Sequence, residues 1–150
     1  MQNSSAKNLL LGFIAAVIAV VTVHQLIVLL LTQAGLIKGQ PWSMNAVPPF
    51  GVPQIINGMF WGGLWGALYA AIHDRLPGGM TWLKGLIYGW LIVVFSNWLI
   101  LPFIKGTLLG QKGQALFVGG DPQRLLAGAL ILGGFGVATA LIYQALSDRH

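Results

Sequence analysis

The chain has no cysteine and no glutamate, and its only acids are Asp74, Asp121 and Asp148. Without cysteine there is no disulfide, no thiolate metal site and no cysteine nucleophile. Three acids far apart in sequence leave no carboxylate pair for acid–base work. Charge of either sign is scarce. Charged residues make up 7% of the 150 positions, against roughly 25% in soluble domains. So few charges cannot cover a water-facing surface, and lipid must be the solvent over most of it. The net charge is +5, but the eight Lys and Arg are scattered and form no basic run. That excludes nucleic acid as a partner and suits contact with anionic head groups at the two membrane faces.

What the chain has in abundance is apolar length: 56% of it is hydrophobic and its mean hydropathy is +0.77. A bilayer core needs roughly 20 apolar residues in a helix. Four stretches qualify, at about 9–35, 55–72, 85–104 and 125–146. Backbone polar groups cannot go unpaired in lipid, so these are helices. The expected fold is an all-α integral membrane protein, one transmembrane domain over 1–150. The first stretch is too long for a signal-peptide core and is followed by no small-residue cleavage site, so it counts as a span. Pro77-Gly78-Gly79 makes a tight turn between the second and third spans. The other two connections, about 36–54 and 105–123, are apolar for loops. Trp42, Met44, Val47 and Phe50 stand in one, and Leu108, Leu109, Leu116, Phe117 and Val118 in the other. Such segments pack on the membrane surface or dip back among the helices.

Glycines supply a pattern. Gly58, Gly63 and Gly66 recur as Gly128, Gly133 and Gly136, seventy positions on. Gly51-Val52-Pro53-Gln54 recurs as Gly120-Asp121-Pro122-Gln123, sixty-nine on, and Ile37-Lys38-Gly39 as Ile104-Lys105-Gly106, sixty-seven on. Three anchors in the same order point to a tandem duplicated helical hairpin, with repeats of about 9–76 and 81–146. Each unit crosses twice, so the copies are parallel and related by a pseudo-twofold axis along the membrane normal. At 100° per residue Gly58, Gly62, Gly66 and Ala70 form one stripe, and Gly63, Ala67 and Ala71 a second. Ala129, Gly133, Gly136 and Ala140 form a comparable stripe in span four. Small residues let helix backbones approach. This predicts spans two and four as the close-packed frame, and the second face of span two as a surface for another subunit or for packing within the chain. Asp121 is placed to cap the fourth helix.

Polar side chains at mid-depth are few. His24 and Gln25, near Thr22, lie in the middle of span one, and Ser96 and Asn97 in the middle of span three. A polar group in hydrocarbon should face the bundle interior and find a partner. The four residues are a candidate midplane site, or a buried clamp in which His24 is neutral. No nucleophile turn surrounds Ser96 and no histidine cluster suggests a metal, so no catalytic constellation is evident. Trp42, Trp82 and Tyr143 suit the membrane interfaces. Trp61, Trp65, Trp90 and Trp98 fall within spans, as fillers beside glycines or, for Trp61, Trp65 and Trp98, as a quinone or lipid slot.

The expected function is a non-enzymatic membrane subunit or scaffold that works by Gly/Ala-rich helix packing, in a homo-oligomer or larger membrane complex. The alternatives are a small oligomeric carrier or channel using His24, Gln25, Ser96 and Asn97, and a haem-, quinone- or lipid-binding membrane protein. No cofactor is evident. The expected location is a bacterial inner membrane. Lys and Arg divide four to four between the two sides, so orientation rests on the long apolar connections, which suit an outer cap and put the termini in the cytoplasm.

Overall fold

A computed structural model describes residues 2–47, 50–108, 110 and 120–148. Leu109, Leu116, Phe117, Val118 and the side chain of Val47 lie outside what is described. The chain is all-helical apart from a two-residue strand pair, and four helices are long and apolar enough to cross a membrane: Ala6–Gln33, Gln54–Arg75, Thr81–Leu108 and Pro122–Asp148. The outer faces of all four are apolar, with Leu10, Phe60, Phe95 and Leu126 each more than half exposed. The charged residues described sit at or near the ends of these helices.

The boundaries have local causes. Gly35, at φ +77°, ends the first span, and the Leu36 N–H returns to the Leu31 carbonyl at 3.0 Å. This is the left-handed glycine cap that satisfies a helix's last carbonyls. Gly51 and Gly120 also have positive φ, +71° and +77°, and turn the chain into spans two and four. The lead-ins then differ. Pro122 is the first helical residue of span four, and the Asp121 carboxylate accepts the Gln123 N–H at 3.0 Å, as expected of a cap. Pro53 stays extended and pairs, with Val52, against Ala46–Val47. The carbonyls of Asn45 and Ser43 accept the N–H groups of Gln54 and Ile55, both at 2.9 Å, so the loop caps span two. The third span runs past the expected boundary near 104 to Leu108. Ile104-Lys105-Gly106 is therefore helical, whereas Ile37-Lys38-Gly39 is in a loop.

Packing departs from the expected frame of spans two and four. The extensive contacts join span one to span two, span three to span four, and span one to span four. In the first hairpin, a Cβ added to Gly66 would fall on the Gly12 carbonyl oxygen and on Ala16, and one added to Gly58 would meet Val20 at 3.7 Å. In the second hairpin, a Cβ on Gly136 would fall on the Gly85 carbonyl oxygen, and one on Gly128 would meet Val93 at 3.1 Å. Contact positions rise along one helix as they fall along the other, so each pair is antiparallel. The second small face of span two is filled from within the chain: Gly63 lies against the Phe13 ring. Gly62 takes Val20 and the edge of Phe135, which joins span four to the first hairpin.

Thr139, in the middle of span four, is fully buried, and among the described residues its hydroxyl has no partner. A buried hydroxyl without a hydrogen bond costs about 1–3 kcal/mol. Thr139→Val keeps the shape and removes the polar atom. It should raise the thermal midpoint in detergent by a few degrees, and a fall of that size would mean that Thr139 has a partner after all.

Candidate functional site

Two groups of polar side chains interrupt the apolar bundle. The first is at mid-depth in span one. Val20-Val21-Thr22-Val23 is a β-branched run, which crowds the preceding helical turn. Here the α-helix widens to a π turn over Val20–His24. The Thr22 hydroxyl donates to the Ile18 carbonyl at 2.6 Å. The Gln25 N–H, whose α-helical acceptor would be the Val21 carbonyl, bonds instead to the Val20 and Thr22 carbonyls. The Val21 carbonyl is released, and the Trp42 indole N–H donates to it at 2.8 Å.

Trp42 belongs to the loop after span one, and Val21 lies twelve residues back from Gln33. At 1.5 Å per residue the loop descends about 18 Å along the helix. The apolar loop thus runs back along span one, with Trp42 against that helix and still exposed on its outer side. Its backbone N–H donates to Gln25 Oε1 at 2.8 Å, and Gln25 Nε2 donates to His24 Nδ1 at 3.1 Å. That order fixes the Gln25 amide and puts the His24 proton on Nε2. The other face of His24 meets Phe135 edge-on at 6.1 Å. Trp42 has φ +53°, a conformation that costs a non-glycine residue about 1–2 kcal/mol. Two hydrogen bonds from one residue hold it there.

The structure joins His24 to Gln25, as expected of neighbours, and adds Trp42. Ser96 is buried in a second π segment, Val93–Ile100 of span three. The Asn97 side chain lies outside the described residues. The first and third spans both pack on the fourth. Trp90 and Trp98 act as fillers, over Gly133 and Gly128. Trp61 is 55% exposed and meets Phe60 edge-on at 5.3 Å on the outer surface. Along span four runs an open apolar groove of about 570 Å³, bounded by Val23 and Ile27 on one side and Leu86 and Trp90 on the other.

The second polar group lies where spans two and four end and span three begins. Tyr69, Tyr88 and Tyr143 are 1%, 3% and 5% exposed, so Tyr143 is a core residue and not an interface anchor. Tyr69 packs against Tyr88 with the rings tilted, at 5.2 Å, and meets Tyr143 edge-on at 5.9 Å. His73 packs against Tyr143 at 5.3 Å. The Tyr88 hydroxyl donates to the Trp65 carbonyl at 2.5 Å and ties span three to span two. His73 Nδ1 faces the Ala70 carbonyl at 3.0 Å and Nε2 faces the Asp74 carboxylate at 3.3 Å. Beside this cluster is a cavity of about 190 Å³, with Thr81, Lys84, Gln144 and Ser147 on its walls. Sequence reasoning missed it. The available signal was Tyr69 and His73 one helical turn apart, with Tyr88 and Tyr143 at the same membrane edge. Among the described residues no group of three or more His, Asp or Glu is placed to hold a metal.

The fold and these sites define a polytopic helical protein with four candidate membrane spans. No known family model, characterised protein or solved structure matches the chain.

Proposed function

We propose that the chain is a non-enzymatic membrane scaffold that presents its outer and interfacial surfaces to partners and offers no path through its interior. The observation that carries this is the commitment of the mid-depth polar groups of span one. His24 accepts from Gln25, Gln25 accepts from Trp42, and Trp42 covers the carbonyl that the π turn releases. A carrier needs such groups free to meet cargo. Here they clamp a loop, and glycine-to-backbone contacts close the hairpins on either side.

A tandem duplication accounts for the construction. Gly12 and Val20 against Gly66 and Gly58 correspond to Gly85 and Val93 against Gly136 and Gly128. The spacing is 73 residues for the first helix of each hairpin and seventy for the second. Both π segments begin at the corresponding valine, Val20 and Val93. That register sets Val20-Val21-Thr22-Val23-His24 against Val93-Val94-Phe95-Ser96-Asn97 and makes His24 the counterpart of Asn97. The proposed setting is a bacterial inner membrane with cytoplasmic termini.

Proteoliposomes test the scaffold reading. The purified protein should leave proton and small-solute gradients as intact as empty vesicles do, and His24→Leu should lower stability with no effect on leakage. A saturable flux that disappears in His24→Leu would sink the scaffold in favour of the carrier.

A further inference from the structure

The cavity at the ends of spans two, three and four is built for a ligand that the scaffold reading does not name. Tyr69 and Tyr143 are both more than nine-tenths buried and both line it. Among the described residues neither hydroxyl has a hydrogen-bond partner, unlike that of Tyr88. Each ring is buried in the bundle and each residue borders the cavity, so its hydroxyl is available to what enters there. Lys84 and Asp148 also line it, and among the described residues neither is in an ion pair. Thr81 and Ser147 add hydroxyls, and Gln144 adds an amide. Thr81 opens the third helix and Lys84 is in its first turn, so the positive end of that helix dipole adds to the ammonium. His73 faces acceptors of its own, the Ala70 carbonyl and the Asp74 carboxylate, and contributes a wall.

We propose that this cavity binds the headgroup of a zwitterionic phospholipid that carries a phosphodiester and a primary amine. The phosphate is recognised by Lys84, Thr81 and the two tyrosine hydroxyls, and the amine by Asp148. Position selects a lipid, because the cavity is at the ends of membrane spans, where head groups reside. Charge selects the zwitterion. One lysine and one carboxylate sum to zero, and a purely anionic head group would meet Asp148 with no compensating cation of its own. The size agrees: about 190 Å³ takes a phosphate and a short amine and leaves the acyl chains outside along the bundle.

Native mass spectrometry and thermal shift in detergent, with phosphatidylethanolamine, phosphatidylcholine or phosphatidylglycerol added, test this. Phosphatidylethanolamine should form a discrete adduct at least tenfold tighter than the other two. Tyr143→Phe, Tyr69→Phe and Lys84→Gln should each weaken it fivefold or more. Both Phe variants should melt, without lipid, no lower than the parent, because among the described residues each hydroxyl removed has no partner. Equal affinity for the three lipids, or full binding by the Phe variants, would overturn the site. Saturable binding of inorganic phosphate that displaces the lipid would reassign it to a free phosphate. None of these outcomes depends on whether the vesicles leak, so this proposal and the scaffold reading can fail separately.

Discussion

Gly66→Val is expected to yield no folded protein, and Gly136→Val the same. The added Cβ at Gly66 falls on the Gly12 carbonyl oxygen and on Ala16, and at Gly136 on the Gly85 carbonyl oxygen and on Gly89. Neither obstacle is the end of a flexible side chain. The only relief is to move two helices apart along their whole contact, which in lipid gives up the packing that joins them. Overpacked cores usually lose about 1–3 kcal/mol, where side chains can adjust. With backbone against backbone the loss should exceed about 4 kcal/mol. Gly58→Ala is the control on the same helix. Its added methyl would meet Val20 at 3.7 Å, an ordinary contact, and it should cost less than about 1 kcal/mol. Yield of monodisperse protein and thermal midpoint in mild detergent read both variants. Equal behaviour of Gly66→Val and Gly58→Ala would mean that the tight crossing is not there.

Loss of the Trp42 latch has the next largest expected effect. Trp42→Phe keeps a ring over span one but strands the Val21 carbonyl in an apolar setting, at about 1–3 kcal/mol. Gln25→Leu removes the acceptor of the Trp42 N–H and the donor to His24. Because both substitutions act on one strained residue, they should not add: a double-mutant cycle should give a coupling of about 0.5–3 kcal/mol. Amide exchange in the loop after Leu36 should speed about tenfold for each 1.4 kcal/mol lost, while exchange in span four stays as it was. Strict additivity, or exchange unchanged in the loop, would show the latch to be ornamental. This result also decides how the mid-depth residues are read, since a clamp that holds a loop accounts for His24 and Gln25 without any cargo.

Much of the fold was legible in the sequence, and the reasons are elementary. Four long apolar stretches in a chain almost without charge admit one solvent and one backbone solution. Gly35, Gly51, Gly120 and Asp121 marked helix ends because left-handed backbone and free N–H groups select those residue types. The glycine stripes announced close packing as an expectation. They did not say against what, because a small residue is a gap and carries no record of its neighbour. Two faces on span two suggested two neighbours, yet span one supplies both Gly12 and Phe13. The spacing of 73 residues between spans one and three also escaped notice. Its anchors, Gly12 with Gly85 and Val20 with Val93, are single residues in apolar text, and they gain meaning only from what they touch.

The candidate sites divide in the same way. His24 and Gln25 were visible because a polar pair is conspicuous in the middle of a span. The contact of Trp42 with Val21 was not legible, since it depends on a π turn that displaces one hydrogen bond, and periodicity cannot reveal such a turn. The tyrosine cavity was illegible for another reason. Its residues come from three helix ends more than 70 positions apart, Tyr69 to Tyr143, and each alone looks like a residue of the membrane edge. By itself the sequence determined the apolar character, the number and the ends of the long helices, all of which follow from local composition and backbone chemistry. Which helices touch, which carbonyl is set free and which side chains meet around the cavity were decided by the tertiary structure, because those depend on the relative placement of helices that no local rule encodes.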